Sequence, residues 1–201
     1  RGCSVALLDF DVDGASVQPS TACPADIDIL QQEFDRLQFR AGARPFELTA
    51  VVRKMLAADG CLGRIAFALS HSGVRPVRVL AFDKTPQSNW SLGWHQDRVI
   101  AVKARVAVTG YQNWTLKGGV PHVEAPAEIL ARMFSLRLHL DDCDRSNGAL
   151  KVLPRSAERG KLADAEVRQL ANEVAEEFCE AKRGEVVAMK ALTVHASEPS
   201  I

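Results

Sequence analysis

Trp90-Ser91-Leu92-Gly93-Trp94-His95-Gln96-Asp97 stands where the chain changes character, and its reading decides the fold. Just before it, Val77, Val79 and Ala81 alternate with Arg78, Leu80 and Phe82, the period-two pattern of a strand opening at Pro76. Just after it, Val99 to Val108 is again rich in β formers. On a strand, residues i and i+2 leave the same face, so the His95 imidazole and the Asp97 carboxylate can converge on one point. With a second imidazole from elsewhere they form the facial triad of non-haem Fe(II) oxygenases, whose remaining positions stay open. The spacing alone is weak. Five histidines and thirteen aspartates in 201 residues supply about 0.3 such pairs by chance.

Working outward, the downstream chain supplies candidates for the second imidazole. His195, in Leu192-Thr193-Val194-His195-Ala196-Ser197, is the best placed, far enough along to return on another strand. His139 is a rival: on a strand over Met133–Leu140, Arg137 and His139 share one face while Leu136, Leu138 and Leu140 share the other. His122 lies among Gly118, Gly119 and Pro121, and His71 lies at a helix end. Residues 109–126 read as a long loop, the kind that closes over a site. A short helix is expected over 126–132, a strand over 149–153, an amphipathic helix over 164–178 and a β segment over 185–195.

Upstream, the chain reads as helix. Pro24 opens a run with Ile27, Leu30, Phe34 and Leu37 at helical spacing. A second run begins near Pro45 and carries Leu48, Val51, Val52, Met55 and Leu56 on one face, ending before Asp59-Gly60. A third spans 62–69. Residues 1–20 have no clear pattern. Helices followed by short strands predict a mainly β domain, a sandwich or barrel with helices on one side.

Composition narrows the function. Lys+Arg and Asp+Glu are 25 each, so the net charge is zero, and no Lys/Arg block offers the basic field that nucleic-acid binding needs. No apolar run approaches the roughly 18 residues of a membrane span. Cys3, Cys23, Cys61, Cys143 and Cys179 are scattered and odd in number, which fits reduced thiols in a cytoplasmic protein better than a disulfide framework or a zinc site. A small-molecule substrate is the partner this leaves; the oligomeric state is not legible.

An ordered set of segments carries a family resemblance. Phe82-Asp83-Lys84-Thr85-Pro86, Asn89-Trp90 and Trp94-His95-Gln96-Asp97 are followed by Gly119-Val120-Pro121-His122 and Leu136-Arg137-Leu138-His139-Leu140-Asp141-Asp142. Asn147-Gly148-Ala149-Leu150-Lys151-Val152-Leu153-Pro154 and His195-Ala196-Ser197 complete the set. Together they resemble the phytanoyl-CoA dioxygenase family, small bacterial type, over residues 76–201. The resemblance implies a double-stranded β-helix, or jelly roll, with residues 1–75 as helical support. It implies an enzyme that uses Fe(II), O₂ and 2-oxoglutarate to hydroxylate a small molecule, releasing succinate and CO₂.

Carried over by position, His95, Asp97 and His195 would bind the metal. Ser197, Arg137 and Lys84 would meet 2-oxoglutarate, and Trp114, Lys117 and His122 would belong to a substrate lid. The carboxylate of Asp97 favours hydroxylation, since the halogenases of the family lack it. The sequence departs from the family at Pro154-Arg155-Ser156-Ala157, where relatives continue Gly-Ser-His after the proline. The family's 2-oxoglutarate-anchoring arginine would fall past Ile201, with a closing strand. Two other readings compete: a jelly-roll module that binds a ligand or partner without catalysis, and a cupin-like metalloenzyme that uses no 2-oxo acid.

Overall fold

The computed structural model describes residues 8–19, 22–37, 43–45 and 47–200; Cys3 lies outside them. Twelve strands are described: β1 Ala15–Gln18, β2 Ala43–Pro45, β3 Leu80–Phe82, β4 Leu92–His95, β5 Val99–Ala101, β6 Gln112–Lys117, β7 Val120–Glu124, β8 Phe134–Leu138, β9 Leu150–Val152, β10 Glu177–Cys179, β11 Val186–Lys190 and β12 His195–Ser197. One antiparallel sheet runs β1-β11-β8 and a second runs β10-β9-β12-β4. Ala15, Val187 and Met189 of the first meet Leu150, Val152 and Cys179 of the second in one buried cluster. Two facing antiparallel sheets with strand orders that jump along the sequence make the expected jelly roll.

The alternation in β8 sorts its side chains. Arg137 stands opposite Val187, whose side chain lies in the cluster between the sheets, so Arg137 faces inward. Leu138 and, just beyond the strand, Leu140 face outward and meet the helices. The described helices are α1 Phe10–Asp13, α2 Pro24–Phe34, α3 Ala50–Leu56, α4 Cys61–Ser70, α5 Ala127–Leu130 and α6 Asp164–Glu173. Ile27 of α2, Val51, Val52 and Met55 of α3 and Cys61 of α4 form the apolar stripe that covers those leucines. On the other sheet, Val167 and Leu170 of α6 pack on Leu153 and Val194.

Four expectations need correction. Residues 1–75 are not helical throughout, because β1 joins the main sheet beside β11, in register Ala15 opposite Met189. Residues 109–126 are not a loop: β6 and β7 form a hairpin whose two-residue turn is Gly118-Gly119, both at positive φ (56° and 78°). That backbone is the turn glycine accepts most readily, so the residues that suggested a loop are the hairpin's own punctuation. The β-rich run 99–108 forms a strand only as far as Ala101, where pairing with β7 ends. The helix expected over 164–178 stops at Glu173 with Val174 extended, and Glu177–Cys179 pair with β9, burying Cys179. Pairing and burial there override helical propensity.

Candidate metal centre

His95 ends β4 and His195 begins β12, and the two stand directly opposite each other in the antiparallel pair. Cross-strand neighbours bring the rings to 4.2 Å between centroids, tilted by 48°. Asp97 lies two residues past His95, where its backbone N–H donates to the Ala191 carbonyl at 3.0 Å. That tie turns the carboxylate back, with Oδ2 3.9 Å from His195 Nε2. One ligand atom from each of His95, Asp97 and His195 lies within 4.8 Å of the others. Among the described residues this is the one such group of His, Cys, Asp and Glu. His139, the rival, is not in it.

Both imidazoles are oriented by the backbone. His95 Nδ1 lies 2.7 Å from the Gly93 carbonyl and His195 Nδ1 lies 2.9 Å from the Thr193 carbonyl. A carbonyl only accepts, so each Nδ1 carries the proton and each Nε2 presents a lone pair. Burial pushes the His195 pKa down to about 4, against the opposing pull of Asp97, so the ring is neutral as a metal ligand must be. His195 is 2% exposed while the Asp97 side chain is 50% exposed, so the group has one wall in the core and one side open.

Gln96, between the two ligands, points the other way and is buried. Its Nε2 donates to the carbonyls of Leu192 (2.7 Å) and Gly160 (2.8 Å), and its Oε1 accepts from the Leu162 N–H at 2.8 Å. The strand end that carries His95 and Asp97 is thereby fixed to the turn that leads into His195. Sequence reasoning passed over this residue; the available signal was a polar residue placed on the core face between two ligands.

Lys84 and Ser197 also come together, Lys84 Nζ donating to Ser197 Oγ at 3.0 Å and to the Glu198 carbonyl. The ammonium lies 5.5 Å from the centre of the Trp90 ring. Arg137 reaches inward from β8 with its guanidinium 5.6 Å from the centre of the Phe82 ring. Burial lowers the pKa of Arg137, opposed first by the Asp97 charge, and burial likewise lowers that of Lys84. Among the described residues neither cation forms a salt bridge with a carboxylate. Glu198, which pairs with Lys151, acts on Lys84 from nearby, as Asp97 acts on Arg137.

The expected lid residues lie on the β6–β7 hairpin. Trp114 is on β6 under the Arg105 guanidinium (5.6 Å), and Lys117 is exposed at the hairpin end. His122 is buried on β7, where Arg78 Nη1 donates to its Nε2 at 2.8 Å and its Nδ1 donates to the Val120 carbonyl. The structure connects this hairpin to the centre through β5, which starts two residues after Asp97 and pairs with β7.

The sequence model of the phytanoyl-CoA dioxygenase (PhyH) family matches residues 10–200. The chain belongs to that family. Among solved structures it is similar to AviO1 from Streptomyces viridochromogenes, at 22% identity and a TM-score of 0.64 over 95% of this chain and 85% of that one. SnoK, a non-haem α-ketoglutarate-dependent carbocyclase from nogalamycin biosynthesis, matches at 13% identity and a TM-score of 0.66 over 94% and 74% of the two chains. HygX from Streptomyces hygroscopicus, solved with nickel and 2-oxoglutarate bound, matches at 14% identity and a TM-score of 0.62 over 96% and 79%. At these identities the likeness is one of fold. No curated protein sequence matches. In this member of the phytanoyl-CoA dioxygenase family, His95, Asp97 and His195 bring one ligand atom each within 4.8 Å of the others.

Proposed function

We propose that this dioxygenase-family protein is an Fe(II)- and 2-oxoglutarate-dependent oxygenase that hydroxylates a small organic molecule and releases succinate and CO₂. The observation that carries the proposal is the convergence of His95, Asp97 and His195 within 4.8 Å, with both Nδ1 atoms held by backbone carbonyls. Two neutral imidazoles and one carboxylate suit a divalent first-row metal and leave positions for a chelating cosubstrate. The fold relative HygX with nickel and 2-oxoglutarate, and SnoN in complex with Fe³⁺, α-ketoglutarate and nogalamycin RO, support the choice of metal and cosubstrate. Iron with a 2-oxo acid supplies the O₂-dependent oxidation.

The chain's own residues bind and orient. His95 and His195 present lone pairs fixed by Gly93 and Thr193, and Asp97 adds the one negative ligand. Lys84, Arg137 and Ser197 attract and place the cosubstrate carboxylate, and the closed cluster behind them, with Val152 and Val187 at 0% exposure, excludes water on that side. The β6–β7 hairpin serves as the substrate border, with Lys117 at its tip, Trp114 within β6 and His122 bracing it through Arg78. Cys23, Cys61, Cys143 and Cys179 are free thiols, which supports the cytoplasm as the proposed compartment.

Purified full-length protein given Fe(II) and 2-oxoglutarate is expected to form succinate without added substrate. His95→Ala and Asp97→Ala are each expected to lower that turnover and Fe(II) affinity at least about 100-fold, beyond what loss of an orienting partner costs. Protein that binds neither Fe(II) nor 2-oxoglutarate refutes the proposal. Binding of 2-oxoglutarate with no turnover under any condition makes it a non-catalytic ligand-binding jelly roll.

A further inference from the structure

Among the described residues three buried side-chain polar atoms have no hydrogen-bond partner: Ser88 Oγ, Ser135 Oγ and His139 Nε2. Two of the three flank Arg137. Ser135 is on β8, and His139 lies one residue past its end, both at even spacing from Arg137. His139 still continues the ladder, donating its N–H to the Glu185 carbonyl at 3.0 Å and accepting from Gly184 N–H at 2.8 Å. Ser135, Arg137 and His139 therefore point to the same inner face. Buried polar atoms in native proteins are rarely left unpaired, so such a row is a receptor for something polar.

Ser135 and His139 lie roughly 13 Å apart along the strand and cannot share one carboxylate. The end that matters is set by Lys84. Lys84 Nζ donates to Ser197, which pairs with Leu150, and Leu150 packs in the buried cluster with Ala181 and Val187. Ala181 pairs with Cys143 and Val187 stands opposite Arg137, so that end of the cluster lies beside the segment that carries His139. Lys84 thus belongs to the His139 end, whereas Ser135 stands opposite Met189, deep in the core. Burial, and next the Arg137 charge, hold His139 neutral against the weaker pull of Glu185 and Asp141. A neutral imidazole offers an N–H donor without adding a third positive charge.

We propose that His139 completes an anion clasp with Arg137 and Lys84, its Nε2–H donating to the distal carboxylate of a 2-oxo dicarboxylic acid. The clasp makes the site selective for dicarboxylates over 2-oxo acids that lack the distal group. It rests on the oxygenase reading above and extends it to a residue that is neither a metal ligand nor within two positions of one.

The test uses the full chain loaded with Ni(II), titrated calorimetrically with 2-oxoglutarate and with 2-oxobutanoate, which has the same chelating head and no distal carboxylate. His139→Leu is expected to weaken 2-oxoglutarate about tenfold or more, the value of a hydrogen bond to a charged group, and to leave 2-oxobutanoate unchanged. His139→Gln, which keeps a donor, is expected to recover most of the loss. Unchanged 2-oxoglutarate affinity in His139→Leu overturns the clasp and leaves an imidazole that meets only water. Equal weakening of both acids also overturns it, since the residue then acts on the fold or the metal. Wild-type protein that takes up Ni(II) but neither acid overturns the oxygenase reading itself.

Discussion

Gln96 sets the most demanding condition at the scale of single residues. Its one side chain satisfies two carbonyls and an N–H from segments that pass 64 and 96 positions away in sequence. Gln96→Ala would orphan all three groups at once, and each orphan costs about 1–3 kcal/mol. A loss of about 3 kcal/mol in urea unfolding is expected, with metal affinity down about 10- to 100-fold because His95 and Asp97 lose their anchor. Unchanged metal affinity would show that the ligands hold their places without it. His95 and Asp97 were legible as candidate ligands because ligand chemistry is a property of residue type, whereas His195 was one of several histidines until strand pairing set it opposite His95. Gln96 was not legible, because its role depends on which backbone groups fold past it. Arg137 and His139 were half legible, their shared face following from alternation and their lack of partners from the packing alone.

Among the elements, the turn before β9 shows how closely local backbone and site are joined. Gly148 has φ +86°, and a Cβ there would lie 2.9 Å from Lys84 Nζ and 2.9 Å from the Glu198 carbonyl oxygen. Gly148→Ala would strain the backbone by about 1–2 kcal/mol and push the ammonium from Ser197. A fall in thermal stability together with several-fold weaker 2-oxoglutarate binding is expected; weaker stability with unchanged binding would remove Lys84 from the cosubstrate site. Asn147-Gly148 closes a short helical turn, and its glycine also makes room for the Lys84 ammonium. Other elements hid for related reasons. Ala15-Ser16-Val17-Gln18 is too short to declare itself and becomes β1 only because β11 offers an edge to pair with. Gly118-Gly119 resembles loop sequence until its positive φ angles close a hairpin. The helices α2 to α4, by contrast, follow their periodic apolar residues, since a stripe such as Val51, Val52 and Met55 is continuous in sequence.

For the whole molecule, the buried histidines tie stability to pH. His195, at about 4, and His139, lowered from the ordinary 6.5, both bind protons less readily folded than unfolded. Their contribution is therefore full above the unfolded value and is lost as pH falls through the window from 6.5 toward 4. For His195 the loss is on the order of 3 kcal/mol. Metal-free protein is expected to melt at progressively lower temperature as the pH is taken from 7 to 5, and His139→Leu is expected to flatten that slope. A melting temperature independent of pH over this range would contradict the neutral, buried state of both rings.

The seam between β4 and β12 has a further consequence. It is the irregular edge of the second sheet: its register shifts between His195 and Ser197, and the first two residues of β4 are exposed. His95 and His195 face each other across that seam. An ion held by both is then a rivet through an irregular join of the sheet, so holding the metal and holding β4 to β12 reinforce each other. Metal supply would then tighten the chain's own folding, with that edge held most firmly in molecules equipped to work.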